Sequence, residues 1–248
     1  MAVAIDFARL AHFPVGMKQF LLIIALAGIV GFTPALARAQ TNAAADKEKA
    51  SVEKHIKPIL SALKLSDPAK VARVHDILAA QFTALKGWHA AHDAQIKPLW
   101  NDFNHARSAH NVTNADLALD KIDGVYASFK PQHDKFIADL STVLTLAQVE
   151  TVKDVLTVNK VKVTYNVYLQ IFPTLKDAQK AVVLKDLKDA REEAIDCESM
   201  KEKSAFFKKY KIKIEEDYLT AQGYDPKQAR KDFAARQKAA AARSSSKE

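Results

Sequence analysis

Apolar residues recur along most of this chain at alternating three- and four-residue steps, the repeat that lines one face of an α-helix. One stripe runs through Val71, Val74, Leu78, Phe82, Leu85, His92, Ile96, Leu99 and Phe103. A second runs through Leu119, Ile122, Tyr126, Phe129, His133, Phe136 or Ile137, and Leu140. Both are narrow, as suits neighbours in a bundle. Start signals bracket them. Asp67 before Pro68 and Asp225 before Pro226 each set an N-cap acceptor ahead of a proline at the first helical position, where a missing N–H costs nothing. Thr145 with Gln148 makes a capping box, and Thr113 with Asp116 and Thr174 with Asp177 make weaker ones. The pattern predicts helices over about 46–64, 67–107, 114–143, 146–157, 175–197, 199–221 and 226–242. Pro131 is expected to kink the third of these.

One segment is ambiguous. Val161, Val163 and Tyr165 alternate like a strand, while Tyr165, Tyr168 and Phe172 recur at helical spacing. A lone strand has nothing to pair with, so a helix or an extended linker is expected. Lys238–Glu248, rich in alanine and serine, reads as a disordered tail. The fold class that follows is all-α. It is a helical bundle with a long antiparallel hairpin (about 67–107 and 114–143) inside an N-terminal region 40–157, followed by a smaller helical region 158–237.

Composition supports this reading, with only six glycines and an abundance of Ala, Leu, Lys, Glu and Gln, which lose least on entering a helix. The N-terminus adds a compartment. Lys18, the apolar run Phe20–Val30, then Thr33, Pro34, Ala37, Arg38 and Ala39 make a secretory signal peptide over residues 1–39, with cleavage expected between Ala39 and Gln40 or after Ala37. The run is shorter than the ~20 residues of a transmembrane helix, so no stable membrane span is expected after cleavage. Met1–Gly16 is a long lead-in, and Met17 would make an ordinary start.

Export to the periplasm or beyond removes nucleic acid from the expected partners. Loss of residues 1–39 lowers the net charge of +8 by two and leaves the chain basic. The anions outside the inner membrane are lipid headgroups, lipopolysaccharide, acidic polysaccharide and acidic proteins; the alternative is charge that serves solubility alone. Cys197 is the only cysteine, so no internal disulfide can form.

Three groups of side chains invite a chemical reading, each beside a structural one. A hairpin turning near Val112 would set His92 level with His133, with His89 one turn away. The three imidazoles could hold zinc with an open position. Alternatively they are core histidines satisfied by backbone, water, Asp93 or Asp134, or a pH-responsive pair that resists joint protonation, so that acid loosens the hairpin. Neither an HExxH motif nor a cysteine cluster accompanies them.

Glu192, Glu193, Asp196 and Glu198 supply carboxylates of the kind a glycosidase needs, although neighbours on one helix point in different directions and also describe a solvated face. Trp88 and Trp100 could stack a sugar or fill a bundle core. In the densest basic stretch, Lys203, Lys208, Lys209, Tyr210, Lys211 and Lys213 are candidates for binding an anionic partner. Their alternative is an amphipathic helix whose lysines snorkel over buried aromatics. Cys197 continues the stripe Val183, Leu187, Ala190, Ala194 and reads as a buried small hydrophobe. No catalytic or cofactor-binding residue is assigned, and zinc is the one cofactor considered.

The run from Val163 to Phe233 contains Val163-Thr164-Tyr165-Asn166-Val167-Tyr168, Ala190-Arg191-Glu192-Glu193-Ala194, Lys209-Tyr210-Lys211 and Ala221-Gln222-Gly223-Tyr224-Asp225. It resembles a family of exported bacterial proteins known only as a domain of unknown function. The resemblance implies export and helical content and supplies no activity. The chain departs from that family after the Tyr-Lys pair: where a glycine and asparagines are associated with it, Ile212, Lys213, Ile214, Glu215 and Glu216 continue an amphipathic helix. Leu144-Thr145-Leu146-Ala147-Gln148 is similar to the L-T-x-x-Q pattern of Spy/CpxP-type periplasmic chaperones, with Leu175-Lys176-Asp177-Ala178-Gln179 as a degraded copy.

The leading expectation is an exported, non-catalytic envelope protein that binds an anionic component or an unfolded client. The alternatives are a metal- or pH-responsive module built on the histidines and a carbohydrate-active enzyme or accessory protein. The apolar stripes can close within one chain or between two, so a homodimer is also an expectation.

Overall fold

The computed structural model describes residues 34–245. Met1–Ala44 and Ala45–Glu248 are separate units. Of the first, only the opening turns of α1 are described, so the expected apolar run Phe20–Val30 lies outside the described residues, while Ala39 and Gln40 fall in the helical backbone of α1. No helix among the described residues is long and apolar enough to cross a membrane.

The described residues are helical, with no strand among them. In chain order the helices are α1 (Pro34–Leu63), α2 (Pro68–Ser108), α3 (Val112–Tyr126), α4 (Lys130–Ser141), α5 (Leu146–Leu156), α6 (Lys160–Ile171), α7 (Asp177–Ala194), α8 (Met200–Ile212) and α9 (Pro226–Ser245). The ambiguous segment is therefore α6. The expected third helix is divided by a 3₁₀ turn, Ala127–Phe129, with Pro131 in the first turn of α4, where it lacks only a donor that would have no intrahelical partner.

Caps are local, and most fall where the sequence puts them. Asp67 accepts from Ala69 N at 2.9 Å, Asp225 from Gln228 N at 3.0 Å, and Thr145 and Gln148 complete both bonds of their box. Two expected caps differ. Asn111, rather than Thr113, caps α3, bonding Asn114 N at 3.0 Å. At α7 the N-cap residue is Lys176, whose amide donates to Gln179 Oε1 at 2.9 Å, in place of Thr174 with Asp177. Ser199 and Glu202 form a box at α8 that the sequence reading missed. The expected tail from Lys238 instead continues α9 to Ser245: Ala239–Ala242 carry no side-chain penalty against helix, and the exposed backbone satisfies itself.

Helix α2 is 41 residues long, about 60 Å at 1.5 Å per residue, and acts as the spine. Its N-terminal half, through Val74 and Leu78, packs with α1, α4 and α5 around Ile56, Ile59, Phe136, Leu140 and Val152. Its C-terminal half, through Ile96, Trp100 and Phe103, packs with α3 and with the C-terminal helices around Leu119, Ile122, Phe206, Phe207 and Leu187. The hairpin contributes to both cores. Between them, where the stripe of α2 turns polar, lie buried Gln81 and His89.

Candidate functional site

Helix α7 ends at Ala194, and the connection to α8 carries Asp196, only 9 % exposed, to this polar gap. Three side chains converge on it. His133 donates from Nδ1 to Asp196 Oδ2 at 2.8 Å, Gln81 from Nε2 to Oδ1 at 3.4 Å, and His89 from Nε2 to the Asp196 backbone oxygen at 2.9 Å. Lys203, also buried, donates to the carbonyls of Ala194 and Ile195 at 3.2 and 3.0 Å, closing the open end of α7. Burial pulls its ammonium below the ordinary lysine range. Cys197 beside it is fully buried, and burial pushes its thiol up, away from nucleophilic use.

His92 stays apart. Its Nδ1 donates to Trp88 O at 2.8 Å and its ring stacks on the Trp88 indole, centroids 4.5 Å apart. Contacts of Trp88 Nε1 with Ser128 Oγ at 3.0 Å and of Gln132 Nε2 with Gln81 Oε1 at 3.3 Å fix the hairpin register, so His133 lies level with Gln81 and not with His92. The expected three-imidazole layer is therefore not assembled. Among the described residues no group of three or more His, Cys, Asp or Glu side chains is placed to hold a metal ion.

The Asp196 bond raises the pKa of His133, burial works against it, and the charges of Asp196 and Glu192 add to the rise. A carboxylate stands where a second imidazolium had been expected, so protonation tightens the contact.

The glutamates and Asp196 of the α7 end point to different elements. Glu192 faces α5, accepting from Lys153 Nζ at 2.8 Å, and Asp196 faces α4. Glu193 faces α8, where the Tyr210 hydroxyl donates to its Oε1. Glu192 and Asp196 both flank His133, whose Nε2 lies 3.9 Å from Glu192 Oε2 and whose Nδ1 bonds Asp196, and Glu198 is exposed. Arg191, 1 % exposed, binds Asp154 at 2.7 Å, Glu150 at 2.8 Å and Glu192 at 3.1 Å. Burial opposes its charge, but the bonds to Asp154 and Glu150 outweigh it and hold the guanidinium protonated. The same bonds, with Lys188 at 2.9 Å, override the burial that would raise Glu150 and lower its carboxyl instead.

The basic stretch is largely consumed inside the fold. Lys209 binds Asp123 at 2.7 Å and Asp120 at 3.3 Å, and Lys213 binds Asp186 at 3.4 Å while lying 5.6 Å over the Tyr210 ring. With Lys203 on the α7 carbonyls and Tyr210 on Glu193, four of the six candidates have partners within the chain, Lys213 from an exposed position. Lys208 and Lys211 are half-buried. Trp100 is in the core and Trp88 is half-buried under His92, Tyr126 and Phe129.

Past α8 the expected plain helix is a π-helix, Lys213–Leu219. Ile214 and Leu219, five residues apart, are both fully buried, and the wider turn sets them on one face. It also brings Glu215 inward. Glu215 Oε1 accepts from the Tyr168 hydroxyl at 2.6 Å, and Arg230 of α9 grips both carboxylate oxygens, with Nε to Oε2 at 2.8 Å. The chain then turns at Gly223, φ +84°, from which Tyr224 reaches Gln179 Oε1 at 3.0 Å and Thr174 O at 3.2 Å. Tyr168, Arg191, Glu193, Tyr210 and Tyr224 all belong to the motifs of the C-terminal resemblance, and each ties its own segment to another. Glu215 and Arg230 had no signal in a single sequence, because the π-turn that pairs them breaks the helical repeat.

No curated protein matches the chain. The family model described as Protein of unknown function (DUF3826) matches residues 49–239, which spans both cores and every motif of the C-terminal helices. The chain belongs to this family of proteins of unknown function.

Proposed function

We propose that the chain is an exported, non-catalytic helical protein of the cell envelope that binds an anionic partner through its C-terminal helices. The observation that carries this reading is α9. It leaves Lys227, Lys231 and Lys238 exposed, with Asp232 as its one carboxylate, and docks through half-buried Ala229 and Phe233 and the bonds of Arg230 and Arg236. The partner surface thus moves from the consumed lysines of α8 to the outward face of α9. Export rests on the N-terminal sequence pattern.

Co-sedimentation of residues 40–248 with vesicles of phosphatidylglycerol and phosphatidylcholine, and affinity for an acidic polysaccharide, test the reading at low and high salt. Binding should weaken steeply with salt, because exposed charge is screened within a Debye length of about 10 Å at 0.1 M. It should also be lost in the triple variant Lys227→Glu, Lys231→Glu, Lys238→Glu. Binding that ignores salt, or survives the charge reversal, refutes the proposal.

A second reading, a proton-responsive module, is favoured by the His133–Asp196 contact between α4 and the α7 end. It is compatible with the first.

A further inference from the structure

Side chains of three helices anchor the short connection between α7 and α8, residues 195–199. From α2, Gln81 donates to Asp196 Oδ1 at 3.4 Å and His89 to the Asp196 backbone oxygen at 2.9 Å. From α8, Lys203 holds the carbonyls of Ala194 and Ile195, and from α4, His133 donates to Asp196 Oδ2 at 2.8 Å. The connection itself turns through the bond of Cys197 N to Ala194 O at 3.2 Å. A segment tied down by a few side-chain bonds opens more readily than the helices it joins.

These anchors differ in what a proton does to them. Gln81 does not titrate, and His89 can donate to a carbonyl oxygen in either of its states. His133 lies between two carboxylates, with Nδ1 on Asp196 and Nε2 3.9 Å from Glu192 Oε2. Charged, the ring attracts both; neutral, with its proton on Nδ1, it turns a lone pair toward Glu192. From α5, Lys153 offsets Glu192 at 2.8 Å, and Asp134, next to His133 on α4, is held by Lys130 at 2.6 Å. The bond to Asp196 raises the His133 pKa, so the grip is complete below the ordinary 6.5 and fades as pH rises through the folded value.

We propose that the α7–α8 connection is a proton-operated latch: a charged His133 holds Asp196 in the polar gap, and loss of that charge lets the connection open and expose Cys197 while both cores stay folded. This inference deepens the proton-responsive reading and rests on it. It adds the element that moves.

Cys197 reports on the latch, being 2 % exposed and the only cysteine of the chain. The test is the rate of its alkylation by iodoacetamide in residues 40–248 at pH 6 and pH 9, divided by the rate on an unstructured cysteine peptide at the same pH to remove the thiolate's own pH dependence. The corrected rate should rise roughly tenfold from pH 6 to pH 9, the ratio that separates a hydrogen bond to a charged group from a neutral one. It should not change in urea below the unfolding transition, because a local opening exposes little surface. His133→Gln, which keeps a donor and cannot titrate, should give the same corrected rate at both pH values, and so should Asp196→Asn. Burial also draws the Lys203 ammonium down, so a rise that persists in His133→Gln belongs to Lys203 and overturns the latch. A parent rate that does not rise, or that follows global unfolding in urea, overturns it too. If the melting deficit of His133→Leu still narrows toward pH 9 while Cys197 stays closed, the histidine senses protons without moving the connection and only the latch falls; a constant deficit removes the proton-responsive reading with it.

Discussion

Replacing His133 with leucine should destabilise the protein more at pH 6 than at pH 9. In the folded chain the proton on His133 is favoured by the 2.8 Å bond to Asp196, so its pKa lies above the ordinary 6.5. The stabilisation this gives is complete below the unfolded value and is lost as pH rises through the folded one. The side chain is only 14 % exposed, so the contact is sheltered from solvent. A hydrogen bond to a charged group in such a setting is worth about 1.5–3 kcal/mol, and its neutral counterpart about 0.5–1.5. Lys153, which pairs with Glu192 beside the imidazole, sets the expectation toward the middle, about 2 kcal/mol at pH 6. For a chain of this size that corresponds to a midpoint lower by about 4–8 °C, narrowing to roughly 2–4 °C at pH 9, where about 1 kcal/mol remains. Circular dichroism melts of parent and His133→Leu at the two pH values measure it, and Asp196→Asn should flatten the same pH dependence. His75, bonded to Glu53 at 2.8 Å across α1 and α2, acts with the same sign but is a third exposed and contributes less. A gap that is constant, or wider at pH 9, would show that folded His133 is neutral and that the argument from Asp196 fails.

Two further substitutions probe the frame. Arg191→Met strands Glu150, Asp154 and Glu192 around a vacated buried position and should cost about 3–5 kcal/mol in urea denaturation at pH 7; a loss below about 1 kcal/mol would mean that Lys153 and Lys188 already neutralise the knot. Val158 holds φ 50° after α5, where a β-branched residue is strained and glycine is not, so Val158→Gly should raise the midpoint by about 2–4 °C, and a fall would contradict the strained conformation.

Much of this architecture is legible in one dimension because its causes are local. The stripe Val183, Leu187, Ala190, Ala194, Cys197 is buried at every position, and the caps at Asp67, Thr145 and Asp225 depend on atoms within three residues. Apolar spacing and cap chemistry suffice to define such helices, and with them the all-α class. They do not define what lies across from a polar side chain. The register of α2 against α3 and α4 is set by contacts such as Gln81 with Gln132, and it moves His133 from His92 to Asp196. Lys209 looks like one more solvated lysine until the fold brings Asp123, 86 positions earlier, to within 2.7 Å. The π-helix at Lys213–Leu219 forms because Ile214 and Leu219 must both face the core, a demand made by neighbouring helices and absent from the local sequence. The sequence by itself determined the helices and their buried faces, since these follow from periodicity within a few turns. Only the tertiary structure decided which charges neutralise one another, because electrostatic pairing depends on distances between segments remote along the chain.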